Sequence, residues 1–258
     1  MGSKKVKSQS SKLVIAISSR ALFNLDHSHK IFKEEGIEAY AKHQQENEHV
    51  VLDPGVGFTL VKKLLKLNSK KTPIDVILLS RNSADTGLRI FNSIEHYGLN
   101  ISRAAFTRGE STHPFVGAFE ADLFLSSNYN DVQKALQSGY AAASIVESKS
   151  NNSHPSQLRI AFDGDAVIFS DEAERIFQEK GLVAFHENEV LSEKIELKAG
   201  PFKSFLVSLQ KIQSTFPEEN NPIRTALVTA RSAPSHKRVI HTMREWGIRI
   251  DESFFLGG

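Results

Sequence analysis

The feature that most constrains this chain is an internal repeat. Residues 13–36 are similar to residues 158–181, and both segments end at a glycine, with an offset of 145 positions. A second block, residues 76–101, is similar to residues 225–250 at an offset of 149 positions. So regular a register over two long blocks predicts two copies of one folding unit.

Each copy has the pattern of alternating strands and helices. Leu13–Ser18 and Leu158–Asp163 are short apolar runs that end at a polar turn, as buried parallel strands do. Pro73–Ser80 and Ile223–Thr229 have the same character, and apolar residues at helical spacing lie between the strands of each copy. The sequence therefore predicts an α/β fold of two duplicated, Rossmann-like parallel-sheet units.

The repeat divides the chain into four parts. Residues 1–12 are rich in lysine and lack hydrophobic periodicity, which predicts a disordered basic leader. Residues 13–147 and 158–258 are the two units, and the polar residues 148–157 are the linker between them. The first unit continues beyond Gly109 with further strand and helix patterns that have no counterpart in the second unit. We therefore expect the second unit to be truncated at its C-terminal end.

Composition excludes several classes of protein. The chain is 40% hydrophobic and 24% charged, and no stretch approaches the roughly 20 apolar residues that span a bilayer. Because cysteine is absent, a disulfide scaffold and a thiolate metal site are excluded. A net charge of +2 is too balanced to indicate nucleic-acid binding. We expect a cytoplasmic protein with no nucleic-acid or membrane partner, and the sequence leaves a homo-oligomer open.

Two aspartates and a threonine follow the strands of the second unit. Asp163 and Asp165 end the first strand, at the edge where parallel sheets build their sites. One aspartate can act as a nucleophile or metal ligand and the other as a proton donor, although Asp and Gly also simply form turns. The next strand ends at Thr229, whose hydroxyl can hold a phosphate oxygen or cap a helix.

This pair of strand ends resembles motifs one and two of the haloacid-dehalogenase-like phosphohydrolases. Longer segments resemble the cytosolic 5′-nucleotidase I family, namely LRIAFDGDAVIFSDEAERI, AGPFKSFLVSLQKIQ, PIRTALVTARSA and WGIRIDESFFLGG. The first unit resembles the amino-terminal half of that family in VIAISSRALF and NSIEHYGLNI. The likeness extends from Leu13 to Gly258 and implies Mg2+-dependent hydrolysis of nucleoside 5′-monophosphates, AMP prominent among them, in the cytosol.

The resemblance also implies a role for each site residue. Asp163 would be the nucleophile that forms an aspartyl-phosphate and would bind Mg2+. Asp165 would protonate the leaving 5′-oxygen and then activate water, while its backbone carbonyl binds the metal. Thr229 would hold a phosphoryl oxygen. Arg231 could add positive potential, but we interpret it as a member of a surface ion pair.

Two departures from the family pattern lead to an alternative function. The first unit has Ser18, Ser19 and Arg20 where the second has Asp-Gly-Asp, which predicts a degenerate, non-catalytic unit. The family continues beyond the final glycines with a lysine and paired aspartates that this sequence does not contain, which predicts impaired activity. The alternative is a truncated isoform or pseudoenzyme that binds nucleotide or a full-length relative.

His27 and His29 form an H-x-H pair that we interpret as a solvated face rather than a metal site.

Overall fold

The structure is a computed structural model that describes residues 12–70, 73–146, 154 and 156–257. Most of the predicted leader and linker therefore lie outside the described residues. Two sheets are present in the part that is described. Their strands are β1 (Leu13–Ser18), β2 (Ile74–Ser80), β3 (Arg103–Phe106), β4 (Leu123–Ser126) and β5 (Ala142–Ser144) in the first sheet, and β6 (Leu158–Asp163), β7 (Ile223–Thr229) and β8 (Glu252–Phe255) in the second. The helices are α1 (Ser19–Leu22), α2 (Asp26–Glu46), α3 (Phe58–Lys66), α4 (Leu88–His96), α5 (His113–Ala118), α6 (Tyr129–Gln137), α7 (Glu172–Leu191), α8 (Lys203–Gln213) and α9 (His236–Glu245).

The first sheet has the strand order β3-β2-β1-β4-β5, and every neighbouring pair is parallel. The central strands β1 and β2 are buried almost throughout, which is why they are nearly continuous apolar runs. The strand order reverses direction between β1 and β4. In open parallel sheets this reversal leaves a crevice at the carboxyl ends of the two strands, where ligands bind.

The second sheet has the order β6-β7-β8 and is also parallel. Leu158 pairs with Ile223 at its start, as Leu13 pairs with Ile74 in the first sheet. Within the described residues β6 pairs only with β7, and exposed positions alternate with less exposed ones along it. The parallel α/β architecture that the sequence predicts, which is that of a Rossmann-like fold, is confirmed.

Two long helices occupy stretches where the sequence analysis predicted no helix. Helix α2 is kinked at Gly36, with φ of 90°, and helix α7 at Gly181, with φ of 80°. The pattern failed to reveal them because each buries few side chains, two of which are the polar Gln44 and Glu189. A helix without a continuous apolar stripe gives no periodic signal.

The two units share a hydrophobic core. One cluster of buried side chains includes Leu13 and Leu78 from the first unit and Phe162 and Leu227 from the second. Helix α8 packs against β1 as well as against its own unit, and helix α3 contacts β6. Within the described residues no helix is both long and apolar enough to cross a membrane.

The helical spacing of apolar residues predicts that the aromatic residues Phe91, Tyr97 and Trp246 lie in the core, and this prediction is only partly correct. Tyr97 and Trp246 are partly buried and pack against the core, whereas Phe91 is exposed and its ring packs against Phe106. Helical spacing identifies a face of the helix, and it does not show how far along that face the core extends.

Candidate functional site

The site residues predicted in the second unit meet at one edge of the second sheet. Strands β6 and β7 pair in parallel with Asp163 opposite Val228, so that Asp163 and Thr229 end adjacent strands. Gly164 lies between them, and a Cβ there would come within 3.1 Å of the Thr229 side chain. Glycine at position 164 therefore allows the turn after β6 to approach Thr229 closely.

Asp163 and Thr229 differ in their surroundings. The Asp163 side chain is exposed and makes no hydrogen bond or ion pair with any described residue. Thr229 is buried, and its Oγ1 accepts a hydrogen bond from the backbone N–H of Arg231 at 3.2 Å. The Thr229 hydroxyl still has its own proton to donate to an incoming oxygen atom.

Asp165 is held by Arg231 rather than left free. The Arg231 guanidinium donates from Nε to Oδ2 of Asp165 at 2.9 Å and from Nη2 to Oδ1 at 2.8 Å. The prediction that Arg231 belongs to a surface ion pair is wrong, because this side chain is only 2% exposed. A paired, buried guanidinium of this kind fixes the position of the carboxylate it binds.

A buried carboxylate explains how Arg231 remains in the interior. The side chain of Glu189 is 0% exposed and accepts from Nη1 of both Arg231 and Arg238, the latter at 2.8 Å. Burial alone would lower the pKa of Arg231, but its hydrogen bonds and charge interactions with Asp165 and Glu189 raise that pKa above its ordinary value. The ring of Phe185 also lies 5.5 Å from the Arg231 guanidinium carbon.

Sequence reasoning missed this network of Asp165, Arg231, Glu189 and Arg238. Glu189 lies on α7, the helix that the sequence pattern did not reveal, 42 residues before Arg231. The sequence gives one signal for this network. Arg231 and Arg238 both follow Thr229, the first shortly before helix α9 and the second in its first turn.

The oxygen atoms at this edge of the second sheet suit a metal ion that needs few protein ligands. No group of three or more His, Asp or Glu side chains that could hold a metal occurs among residues 12–70, 73–146, 154 and 156–257. Mg2+ is often held by one or two carboxylates together with substrate phosphate oxygens and water. Asp163 offers a carboxylate that no described residue binds, whereas the carboxylate of Asp165 binds Arg231.

The corresponding edge of the first sheet has a different chemistry and a cavity of about 840 Å³. Ser80 ends β2 at the position that matches Thr229, and its Oγ accepts from the backbone N–H of Asn82 at 3.2 Å, as Thr229 accepts from Arg231. Ser19 Oγ lies 3.0 Å from Ser80 Oγ. Ser18 matches Asp163 and Ser80 matches Thr229, so hydroxyl groups lie here where the second unit has a carboxylate and a threonine.

Comparison with known proteins decides the family. The sequence model of the 5′-nucleotidase family matches residues 5–258. The chain belongs to the 5′-nucleotidase family. Human cytosolic 5′-nucleotidase 1B is 41% identical to it over 260 residues, which cover 95% of this chain and 43% of the relative, so the chain spans about two fifths of that protein's length. No solved structure gives a significant match.

The match to this relative confirms the resemblance to the cytosolic 5′-nucleotidase I family. Both units of the 5′-nucleotidase-family chain lie within the matched residues. The likeness therefore applies to the first sheet, with its hydroxyl-lined edge, as much as to the second sheet with Asp163.

Proposed function

We propose that the second unit hydrolyses nucleoside 5′-monophosphates, with AMP favoured, to nucleoside and phosphate. The observation that carries this proposal is the exposed carboxylate of Asp163, which no described residue binds, and the buried Thr229, at the ends of adjacent parallel strands. Membership of the 5′-nucleotidase family and the likeness to a cytosolic 5′-nucleotidase support the reaction and a cytoplasmic location.

The proposed reaction has two steps. In the first, an oxygen of Asp163 attacks phosphorus in line, an aspartyl-phosphate forms, and the bond from phosphorus to the 5′-oxygen breaks. The departing oxygen takes a proton from Asp165. In the second, Asp165 removes a proton from water, which attacks phosphorus and releases phosphate and free Asp163.

Arg231 and Thr229 have distinct parts in this proposal. Thr229 donates its hydroxyl proton to a phosphoryl oxygen, on which negative charge accumulates. Arg231 orients Asp165 through two hydrogen bonds. Because both oxygens of Asp165 accept from Arg231, the ion pair has to open and Asp165 has to take up a proton before it can protonate the leaving oxygen.

We propose that Mg2+ is held by the carboxylate of Asp163 and the backbone carbonyl of Asp165, with the remaining positions filled by water and substrate. When bound, this cation would neutralise charge on the phosphoryl oxygens.

We also propose that residues 13–147 and 158–258 are duplicated, haloacid-dehalogenase-like units and that the first is non-catalytic. Matched contacts support the duplication. Arg89 Nε donates to the carbonyl of Val50 at 2.8 Å, and Arg238 Nε donates to that of Ile195 at 2.8 Å. Both pairs of positions follow the offsets found in the sequence.

A second set of contacts repeats in the same way. Ser93 Oγ accepts from the backbone N–H of Leu52 at 3.0 Å, and Thr242 Oγ1 accepts from that of Leu197 at 2.9 Å. Tertiary contacts of this kind, formed between separate helices and loops, support a common architecture more strongly than matching residue types do.

The test is release of phosphate from AMP with Mg2+ present, compared between the wild type and Asp163→Asn. We expect Asp163→Asn to lower the rate by at least about 1,000-fold, since the nucleophile is lost. Asp171→Asn, which changes an exposed aspartate paired only with Arg175, is the matched control and should retain activity. Equal rates in the wild type and Asp163→Asn would overturn the proposal.

The two hydrogen bonds from Arg231 to Asp165 favour one alternative function, in which the second unit binds a nucleotide without hydrolysing it. Such a unit, or one that pairs with a full-length relative, would bind AMP but release no phosphate that depends on Asp163. Measuring AMP binding on the same preparation separates the two functions.

A further inference from the structure

We propose that the cavity at the carboxyl edge of the first sheet is a second nucleotide site, which binds a nucleoside phosphate without hydrolysing it. The proposal does not depend on hydrolysis by the second unit. It rests on the position, charge and lining of this cavity.

The cavity lies where an open parallel sheet is expected to bind a ligand. Ser18 ends β1 and Ser126 ends β4, the two strands between which the strand order reverses, and both line the cavity. Its volume of about 840 Å³ is within the range of small-molecule sites, roughly 300–1,000 Å³. Inorganic phosphate alone would fill a small part of that space.

Two arginines of the lining provide positive charge for a phosphate group. These are Arg20 and Arg108. Arg20 pairs only with the exposed Asp26, at 3.1 Å, and the Arg108 side chain makes no hydrogen bond or ion pair with any described residue. Exposed pairs such as Arg20 with Asp26 are weak, so both guanidinium groups are available to an anionic ligand.

Another part of the lining is apolar and aromatic. Phe32 and Ile37 line the cavity and are exposed, although side chains of this type are usually buried. Tyr40 stands edge-on to Phe32, with ring centroids 6.0 Å apart, and its hydroxyl donates to Oδ1 of Asn82 at 2.9 Å. A planar base can pack against Phe32 and Ile37 while a phosphate group reaches the arginines.

The same cavity lacks the groups that would hydrolyse a phosphate ester. Ser18 and Arg20 occupy the positions that match Asp163 and Asp165. Two carboxylates line the cavity, and both accept hydrogen bonds, Asp131 from Arg81 and Ser111, and Asp85 from Gln45 at 2.6 Å. Replacing the two aspartates by an uncharged and a positive residue favours anion binding and removes the nucleophile.

The test is equilibrium dialysis of AMP with EDTA present, which counts bound nucleotides per chain without turnover. If the second unit also binds AMP, we expect about two per chain in the wild type and one in the double variant Arg20→Ala, Arg108→Ala. The affinity of the lost site should fall at least about 10-fold. Arg159→Ala, which removes an exposed arginine at the opposite end of β6, is the control and should match the wild type.

The outcomes separate this proposal from the proposed function. One nucleotide in the wild type and none in the double variant would support the cavity site and count against nucleotide binding by the second unit. Equal stoichiometry and affinity in the wild type and the double variant would overturn the cavity site, as would adenosine binding as tightly as AMP there. Inorganic phosphate competing as strongly as AMP would show an anion site that does not use the apolar wall, and would also overturn it.

A second measurement locates the nucleotide directly. Photolabelling the wild type with 8-azido-AMP in EDTA should modify the peptide that contains Phe32 and Tyr40, and unlabelled AMP should prevent this. Labelling confined to residues 158–258 would contradict the proposal.

Discussion

The buried arginines of the two units have different partners at matched positions. In the second unit Glu189 neutralises Arg231 and Arg238, whereas the matched residue of the first unit is the uncharged Gln44, which accepts from Arg89 at 3.1 Å. Burial lowers the pKa of Arg89, while the carboxylates around Arg231 raise its pKa despite burial. The carboxylate of Glu189 thus supplies the counter-charge with which two arginines are buried in the second unit.

We expect Glu189→Gln to lower the free energy of unfolding by about 3 kcal/mol, because two buried guanidinium groups lose their shared counter-charge. Urea unfolding at neutral pH measures the change. Glu193→Gln breaks a partly exposed pair with Lys237 and should cost less than about 1 kcal/mol. Losses of equal size in the two variants would show that Glu189 does not stabilise the network.

Asp131 makes the stability of the first unit depend on pH. Burial alone would raise its pKa, but hydrogen bonds from Arg81, Ser111 and Thr112 lower it below the ordinary 3.8. A folded-state pKa below the unfolded value means that Asp131 stabilises the fold above pH 3.8, and that this stabilisation is lost as the pH falls through the lowered pKa.

Asp131→Asn should therefore destabilise the protein by about 2 kcal/mol at pH 7 and by progressively less below pH 4. Urea unfolding of the variant and the wild type at several pH values gives the difference. Asp26→Asn, at an exposed position, should show almost none. A difference that grows toward acid pH would contradict the assignment.

Among the elements, the kinked helices α2 and α7 carry much of the lining of the two sites. Tyr40 comes from α2 and Glu189 from α7, each beyond the glycine kink of its helix. Gly181 has φ of 80° and ψ of 178°, a conformation that is essentially restricted to glycine. Beyond the kink, Glu189 binds Arg231 and Arg238.

Gly181→Ala should lower the free energy of unfolding by about 1–3 kcal/mol. A Cβ at this position would meet no atom within 4 Å, so the cost comes from the backbone alone. Lys180→Ala, at the exposed neighbouring position, should have little effect because alanine favours helix. Thermal or urea unfolding distinguishes the two, and equal stability of both variants would rule out strain at the kink.

On the scale of the whole molecule, the shared core makes the two units interdependent. The hydrophobic cluster passes from the first sheet to the second, and α8 of the second unit packs on β1. We expect urea unfolding to be a single cooperative transition.

The sole tryptophan, Trp246, reports on the second unit, so a change in the first unit tests this coupling. Leu78→Ala in β2 removes a fully buried side chain and should cost about 2–5 kcal/mol. We expect the fluorescence transition of Trp246 to move to lower urea together with the far-UV circular dichroism. A fluorescence transition that stays in place while the dichroism shifts would show that the units unfold separately.

Prediction from sequence succeeded where a local pattern carries the information. The bounds of β1, β6 and β7 are those that the apolar runs indicated, because each run ends in a polar turn. Only β1 is buried almost throughout, whereas buried and more exposed positions alternate along β6 and β7. Helices α2 and α7 were not predicted, because they bury few apolar side chains and so lack hydrophobic periodicity in the sequence.

The sequence by itself determined the parallel α/β architecture and the ends of β6 and β7, where Asp163 and Thr229 lie. Only the tertiary structure decided that Arg231 is buried and binds Asp165, 66 residues away, and that the first sheet edge opens into a cavity. The reason is physical: hydrophobic periodicity is a property of neighbouring residues, whereas the environment of a charge depends on every segment that folds around it.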